Sequence, residues 1–207
     1  MGSELIFKVI LIAEYSIFSI IRIRNQRLAQ KAGFRTVIEE SKKYSIYLAL
    51  LICYEVFTLF LYLLYPEPIM WANVSMPPPL RWLGVIMGFL ALLLSVWVHR
   101  NLKENFSIKL RITDKQNLVV TGPYRWVRHP MYTAFYLLHI AAFFLTANWF
   151  IGVTWFIGLN IIIFSKVKRE EAMMMEMFGD QYSAYMKRTG RFMPILRRPS
   201  LFCRTKN

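Results

Sequence analysis

Cysteine is scarce in this chain. Two in 207 residues are too few for a disulfide framework and supply no metal-ligand spacing. Cys53 falls inside an apolar run and reads as packing. Cys203 is followed by Arg-Thr-Lys-Asn, one residue too long and too basic for a prenylation box. Acidic residues are also few, 12 against 26 lysines and arginines, and charged residues make up only 18% of the chain beside 56% hydrophobic ones. That balance excludes an ordinary soluble domain. No Gly-x-Gly-x-x-Gly follows a strand pattern and no βαβ alternation appears, which excludes a Rossmann-type nucleotide domain. The N-terminus does not read as a cleaved signal peptide, because Arg22, Arg24 and Arg27 follow the first apolar run instead of preceding it.

What the chain has in abundance is apolar sequence gathered into runs. Five stand out, at residues 5–21, 44–65, 80–98, 131–145 and 149–165. Several approach the roughly 20 residues a helix needs to cross a bilayer. The expected fold is therefore an all-α integral membrane protein with about five transmembrane helices. Lys8 and Glu14 interrupt the first run, which leaves open an amphipathic helix lying in the interface. The third run holds Gly84 and Gly88, a small-xxx-small spacing suited to close helix contact.

The basic residues follow the runs. Seven lie in segment 22–43, seven in 99–130 and ten in 166–207, together 24 of the 26, with Lys8 and Arg81 the exceptions. With five crossings these three segments share one side, so the N-terminus is expected outside and the C-terminus in the cytoplasm. The net charge of +14 then orients the chain and attracts anionic membrane lipids. Nucleic acid is not a partner it calls for.

Polar chemistry concentrates in two places. The first is Gly-Pro-Tyr-Arg-Trp-Val-Arg-His-Pro-Met-Tyr, residues 122–132, where the fourth run begins. Pro130 suits the first turn of a helix, which puts His129 at that helix's start. The same residues would also serve as snorkelling anchors and an aromatic belt. The second is Lys166, Lys168, Arg169, Glu170 and Glu171, just past the fifth run. Lys166 and Glu170 are four apart and share a helix face. The connection 146–148 between runs four and five is very short, so these helices are antiparallel neighbours and the clusters meet on one membrane face. Ionisable groups at such a place are a functional-site hypothesis by default. Beyond residue 165 an amphipathic helix is expected to stop at Gly179, with a second short one over 181–187.

These two blocks, the second continuing as Arg-Glu-Glu-Ala-Met-Met-Met-Glu-Met-Phe-Gly-Asp-Gln-Tyr-Ser-Ala-Tyr and followed by Thr189-Gly190-Arg191-Phe192-Met193-Pro194, resemble the isoprenylcysteine carboxyl methyltransferase family. Its wider superfamily includes phospholipid N-methyltransferases. The resemblance covers residues 116–194. It implies S-adenosylmethionine as cofactor, held at the cytoplasmic side by a C-terminal helical segment that completes the pocket. It also divides the chain into N-terminal membrane helices and a loop, residues 1–115, and a methyltransferase core, residues 116–207. By resemblance, Gln116, Leu118 and Val119 line the adenine. The chemistry of the other residues suits the same ligand: Tyr124, Tyr132 and Glu170 for a sulfonium cation, Arg128, His129 and Arg169 as donors to its carboxylate, and Glu170 or Glu171 as acceptors for its amine.

The resemblance further implies catalytic roles for Lys166 and Glu170. Lys166 stands where the family has an arginine, four residues before the glutamate. Lysine keeps the charge and loses the bidentate fork that grips a carboxylate. The implied substrate is a lipophilic, membrane-borne acceptor, first an isoprenylcysteine-like carboxylate. N-methylation of an ethanolamine headgroup is the alternative within the superfamily. A non-enzymatic basic membrane module binding anionic lipid or a partner protein is the alternative outside it.

Overall fold

The computed structural model describes residues 2–31, 42–106 and 118–195. Five helices make up these segments: α1 (Gly2–Lys31), α2 (Lys42–Leu64), α3 (Pro78–Phe106), α4 (Pro130–Thr146) and α5 (Trp149–Arg188). Short 3-10 turns at Glu67–Ala72 and Gly122–Arg125 link α2 to α3 and lead into α4. Isolated backbone bridges aside, the described residues contain no strand. In lipid every backbone N–H and C=O must be satisfied within its own segment, and continuous helices do this. Among the described residues three helices are long and apolar enough to cross a membrane, in α2, α3 and α5, and α4 is a shorter apolar helix.

Large apolar side chains cover the outside of the bundle, Leu50, Phe57, Ile86 and Ile161 among them. A surface of this kind would aggregate in water and matches hydrocarbon. The chain is an all-α integral membrane protein.

The helices alternate in direction. At one end Lys8 of α1 donates to the Leu63 carbonyl of α2 (3.4 Å), and Arg81 of α3 donates to the Leu145 carbonyl of α4 (2.6 Å). At the other end the Arg22 guanidinium covers the Phe135 ring at 4.9 Å, and Trp97 meets Trp126 edge-on at 5.6 Å. The ends of α1 and α3 therefore meet the start of α4. Arg81, an outlier in the charge pattern, is buried, paired with Glu4 and stacked over Phe7 at 4.1 Å. A buried cation paired in this way is the arrangement desolvation demands.

The tight α4–α5 turn has a specific chemistry. Ala147 adopts a left-handed conformation (φ 47°), and the Asn148 side chain caps α5 by accepting from the Ile151 N–H at 3.1 Å. Asn148 also donates to the Ile69 carbonyl and to Asn73, both at 2.9 Å, which binds the α2–α3 loop to the turn. α5 runs on past its apolar section, 149–165, into a polar stretch. At about 1.5 Å per residue the 13 residues from 166 to 178 extend roughly 20 Å beyond the membrane-spanning part. The helix breaks at Gly179 (φ 46°, ψ −120°), and 180–188 turns back toward the bundle. This is the stop expected at that glycine, with the short helix after it.

Candidate active site at the polar end of the bundle

The site lies where the start of α4, the polar part of α5 and the segment after α5 converge. Arg128 and His129 immediately precede α4, His129 at its N-cap position. Their N–H groups donate to the carbonyls of Gly190 (2.8 Å) and Arg191 (3.0 Å), and the Gly190 N–H donates to the Trp126 carbonyl (3.2 Å). Residues 126–129 and 190–191 thus form a short parallel pair, with Val127 opposite Gly190. A Cβ at Gly190 would lie 1.6 Å from the Met193 carbonyl oxygen, so no other residue fits the turn.

Glu171 is the electrostatic centre. Its Oε1 accepts from Arg128 Nε (3.1 Å), His129 Nε2 (3.3 Å) and Arg191 Nε (3.2 Å), while Oε2 accepts from Arg191 Nη2 (2.6 Å). The Glu171 and Arg128 side chains are each only 11% exposed. Burial pushes the Glu171 carboxyl up, but hydrogen bonds from Arg191 and Arg128 together with their charges outweigh it and hold the group below its usual range. Arg128 also donates through Nη1 to the carbonyls of Met186 (3.1 Å) and Thr189.

Glu170 lies one residue earlier and faces a different set. Its Oε1 accepts from the Tyr132 hydroxyl (3.0 Å) and stands 3.9 Å from Lys166 Nζ, and its Oε2 lies 3.5 Å from His129 Nδ1. The His129 imidazole is therefore flanked by both carboxylates. Phe192 closes the other side, its ring 6.1 Å from His129, 6.3 Å from Tyr132 and 5.5 Å from Tyr136. Its carbonyl accepts from Thr133 Oγ1 at 2.7 Å. Tyr124 is held from behind: Tyr185 donates to its carbonyl at 2.6 Å. Burial raises the Tyr124 phenol, helped by the charges of Tyr185 and Glu170, so it stays a neutral donor.

Of the residues singled out from sequence, Arg128, His129, Tyr132, Lys166, Glu170 and Glu171 come together here. Leu118 and Val119 are half-buried on the approach to the Gly122 turn. Arg169 is exposed on α5, and Gln116 lies outside the described residues, as does Cys203. Arg191 was visible in the sequence only as part of the third block. Its bidentate grip on Glu171 depends on the chain turning back at Gly179, which residue spacing does not encode. Asn101 is a further neighbour: a Cβ on Gly122 (φ 57°) would lie 2.2 Å from its Oδ1, so the end of α3 rests on the turn that leads into the site.

The fold and site define an integral membrane protein with a carboxylate, imidazole and phenol cluster at one end of a helical hairpin. Residues 83–176 match the model of the isoprenylcysteine carboxyl methyltransferase (ICMT) family, in agreement with the resemblance carried by the paired blocks. The matched stretch begins in α3, earlier than those blocks, and ends before the 189–192 segment. A curated relative, protein-S-isoprenylcysteine O-methyltransferase of Schizosaccharomyces pombe, is 30% identical over 84 residues, covering 40% of this chain and 36% of the relative. The match thus spans just over a third of that relative's length.

Proposed function

We propose that this protein is an S-adenosylmethionine-dependent methyltransferase acting on a lipophilic, membrane-borne acceptor, with an isoprenylcysteine-like carboxylate as the first candidate. The observation that carries this reading is the convergence of Glu170, Tyr132, His129 and Lys166 at the polar end of the hairpin, within the stretch that matches the family. The donor set fits the cofactor. Glu170 and the Tyr132 ring suit a sulfonium and an ammonium, and the half-buried 118–120 segment leading to Tyr124 offers backbone groups beside apolar side chains for a base. When bound, the cofactor supplies an activated methyl group.

The work of the chain's own residues is then positional. A carboxylate acceptor arrives ionised, so no strong base is required. Lys166 supplies positive charge to hold it, and Tyr132 and Glu170 keep the cluster aligned. Phe192 and the Tyr136 ring exclude water from the lipid-facing side. An amine acceptor would need to lose a proton, for which Glu170 and His129 are the available groups. In this reading the five helices all span, and the end carrying Arg22, Arg128 and Lys166 faces the cytoplasm.

The test is S-adenosylmethionine binding to detergent-purified protein, repeated with Glu170→Gln and His129→Ala. Labelled methyl transfer to prenylated cysteine and to ethanolamine lipid would follow. Binding that both substitutions weaken, with transfer to prenylated cysteine, is the expected result. Transfer to the ethanolamine lipid alone would replace the acceptor, and absence of specific cofactor binding would leave a non-enzymatic basic module.

A further inference from the structure

Four N–H donors from Arg128, His129 and Arg191 converge on Glu171, three on Oε1 and one on Oε2, so the carboxylate's main partners are the protein's own side chains. We infer that Glu171 is a positioning residue, and that with Arg191 it forms the fastening that closes residues 189–192 over 126–129 and thereby completes the cofactor site. This rests on the methyltransferase reading for what the closed site binds.

Three observations converge on it. Arg191 grips Glu171 with the parallel two-bond geometry that makes guanidinium–carboxylate pairs strong and directional. The pair ties residue 191 to α5, and through Glu171 to Arg128, across a contact between 126–129 and 189–192 that is otherwise held by three backbone hydrogen bonds, from Arg128, His129 and Gly190, by Arg128 Nη1 on the Thr189 carbonyl and by the Thr133–Phe192 contact. The returning helix 180–188 begins at Gly179, whose Cα has no neighbouring atom within 4 Å in the direction of a Cβ. It is an open joint, so contacts further along the chain, the fastening at 191 among them, set where the segment after the helix lies.

The pair also orients the imidazole. A carboxylate only accepts, so His129 donates to Glu171 from Nε2, and its Nδ1 faces Glu170 Oε2 at 3.5 Å. Loss of Glu171 frees the ring to flip or to exchange tautomers. Loss of Arg191 instead releases Phe192 from the His129 and Tyr132 rings. Both changes act on cofactor contact through other groups, so neither residue needs to touch the ligand.

The test uses the full chain in detergent, with Cys53→Ser and Cys203→Ser as background and nitroxide labels on Arg125→Cys and Met193→Cys, both exposed positions. Spin–spin broadening reports closure, S-adenosylhomocysteine calorimetry reports affinity, and thermal unfolding checks the fold. Arg191→Ala and Glu171→Gln should lose broadening and bind about tenfold more weakly, as expected for one charge-assisted contact. Arg191→Lys should recover part of both. Methyl transfer at saturating cofactor should fall less than affinity in Arg191→Ala, a split that general destabilisation would not produce. Broadening retained in both variants overturns the fastening. Broadening lost with affinity unchanged overturns the positioning role and leaves the methyltransferase reading intact. If the parent protein binds no S-adenosylhomocysteine yet its variants open, the fastening stands and the methyltransferase reading fails.

Discussion

The Glu14 carboxylate of α1 rests against the Cα of Gly88 in α3, in a space that a single methyl group would fill: a Cβ there would lie 1.9 Å from Oε2. The small-xxx-small spacing of α3 thus has two separate partners. Gly84 admits the Phe144 side chain and the Ala141 carbonyl of α4, whereas Gly88 admits an acid from α1. Close backbone approach at small residues is the main source of helix association in lipid. Gly88→Ala should lower stability in detergent by about 1 kcal/mol, the low end of the overpacking range, because the atoms it meets are the movable end of the Glu14 side chain. Combining it with Glu14→Ala should recover most of that loss, because the clashing atoms are removed. Equal unfolding temperatures for parent and Gly88→Ala would show that the contact gives way freely.

Across the bundle interior, Glu55 of α2 and His139 of α4 are 3.2 Å apart, and the Tyr15 ring of α1 packs against His139 at 6.2 Å and against Trp155 of α5 at 5.5 Å. Much of α2 is exposed on the outside of the bundle, and this polar contact ties it to α4 as Tyr54–Thr154 and Thr58–Trp155 tie it to α5. A polar pair inside a membrane protein contributes roughly 0.6–2 kcal/mol. His139→Ala and Glu55→Ala should each destabilise the bundle, and a double-mutant cycle should return a coupling of that size. Additive losses would assign the pair no mutual stabilisation. Neither substitution should alter cofactor affinity, since His139 lies ten residues, about 15 Å along the helix, from His129.

The fastening at Glu171 has a pH signature. Its carboxyl lies below the usual range when 189–192 is closed, because Arg191 and Arg128 stabilise the ionised form more than burial disfavours it. Of the two guanidiniums only Arg191 leaves when 189–192 opens, so closure lowers the carboxyl further and the ionised form stabilises the closed state. It loses that contribution as pH drops through the closed-state value. Closure should therefore hold between pH 6 and 8 and weaken only on acidification through and below the usual carboxylate range. Spin–spin broadening between labels at positions 125 and 193, followed against pH, measures this. Opening between pH 6 and 8, or the same acid profile in Glu171→Gln, would point to a different group.

Much of this arrangement was legible in the residues. The short 146–148 connection and the paired polar blocks imply that 122–132 and 166–171 meet, and Gly179 signals the helix break. The burial of Arg81 could not be read, because its neutralising partners, Glu4 and the Leu145 carbonyl, are 77 and 64 residues away and meet it only through helix packing. Arg191 escaped for a related reason. Its partner is on α5 before the Gly179 break, and the direction of the returning helix is set by Arg128, Tyr185 and Thr133, each bonding a backbone carbonyl. Side chains that bind backbone carry little pattern in sequence, whereas the i,i+4 relation of Lys166 and Glu170 is written directly in it.

Lys166 is where the choice of acceptor can be tested. Its Nζ stands 3.9 Å from Glu170 Oε1, a partly exposed pairing at the edge of the cluster. A lysine ammonium is a compact point charge, and it holds a carboxylate without fixing the plane of its two oxygens. Lys166→Arg restores a planar fork, so a carboxylate acceptor should bind more tightly, its KM falling about three- to tenfold, the scale of one added charge-assisted hydrogen bond. Affinity for S-adenosylhomocysteine should stay within about twofold, because the change is on the acceptor side of Glu170. An amine acceptor would respond in the opposite direction, since a broader cation beside it adds repulsion and no bond. Kinetics of Lys166→Arg with prenylated cysteine and with ethanolamine lipid, run side by side, separate the two. A lowered KM for the carboxylate supports carboxyl methylation, and a raised KM for it would exclude Lys166 from acceptor binding.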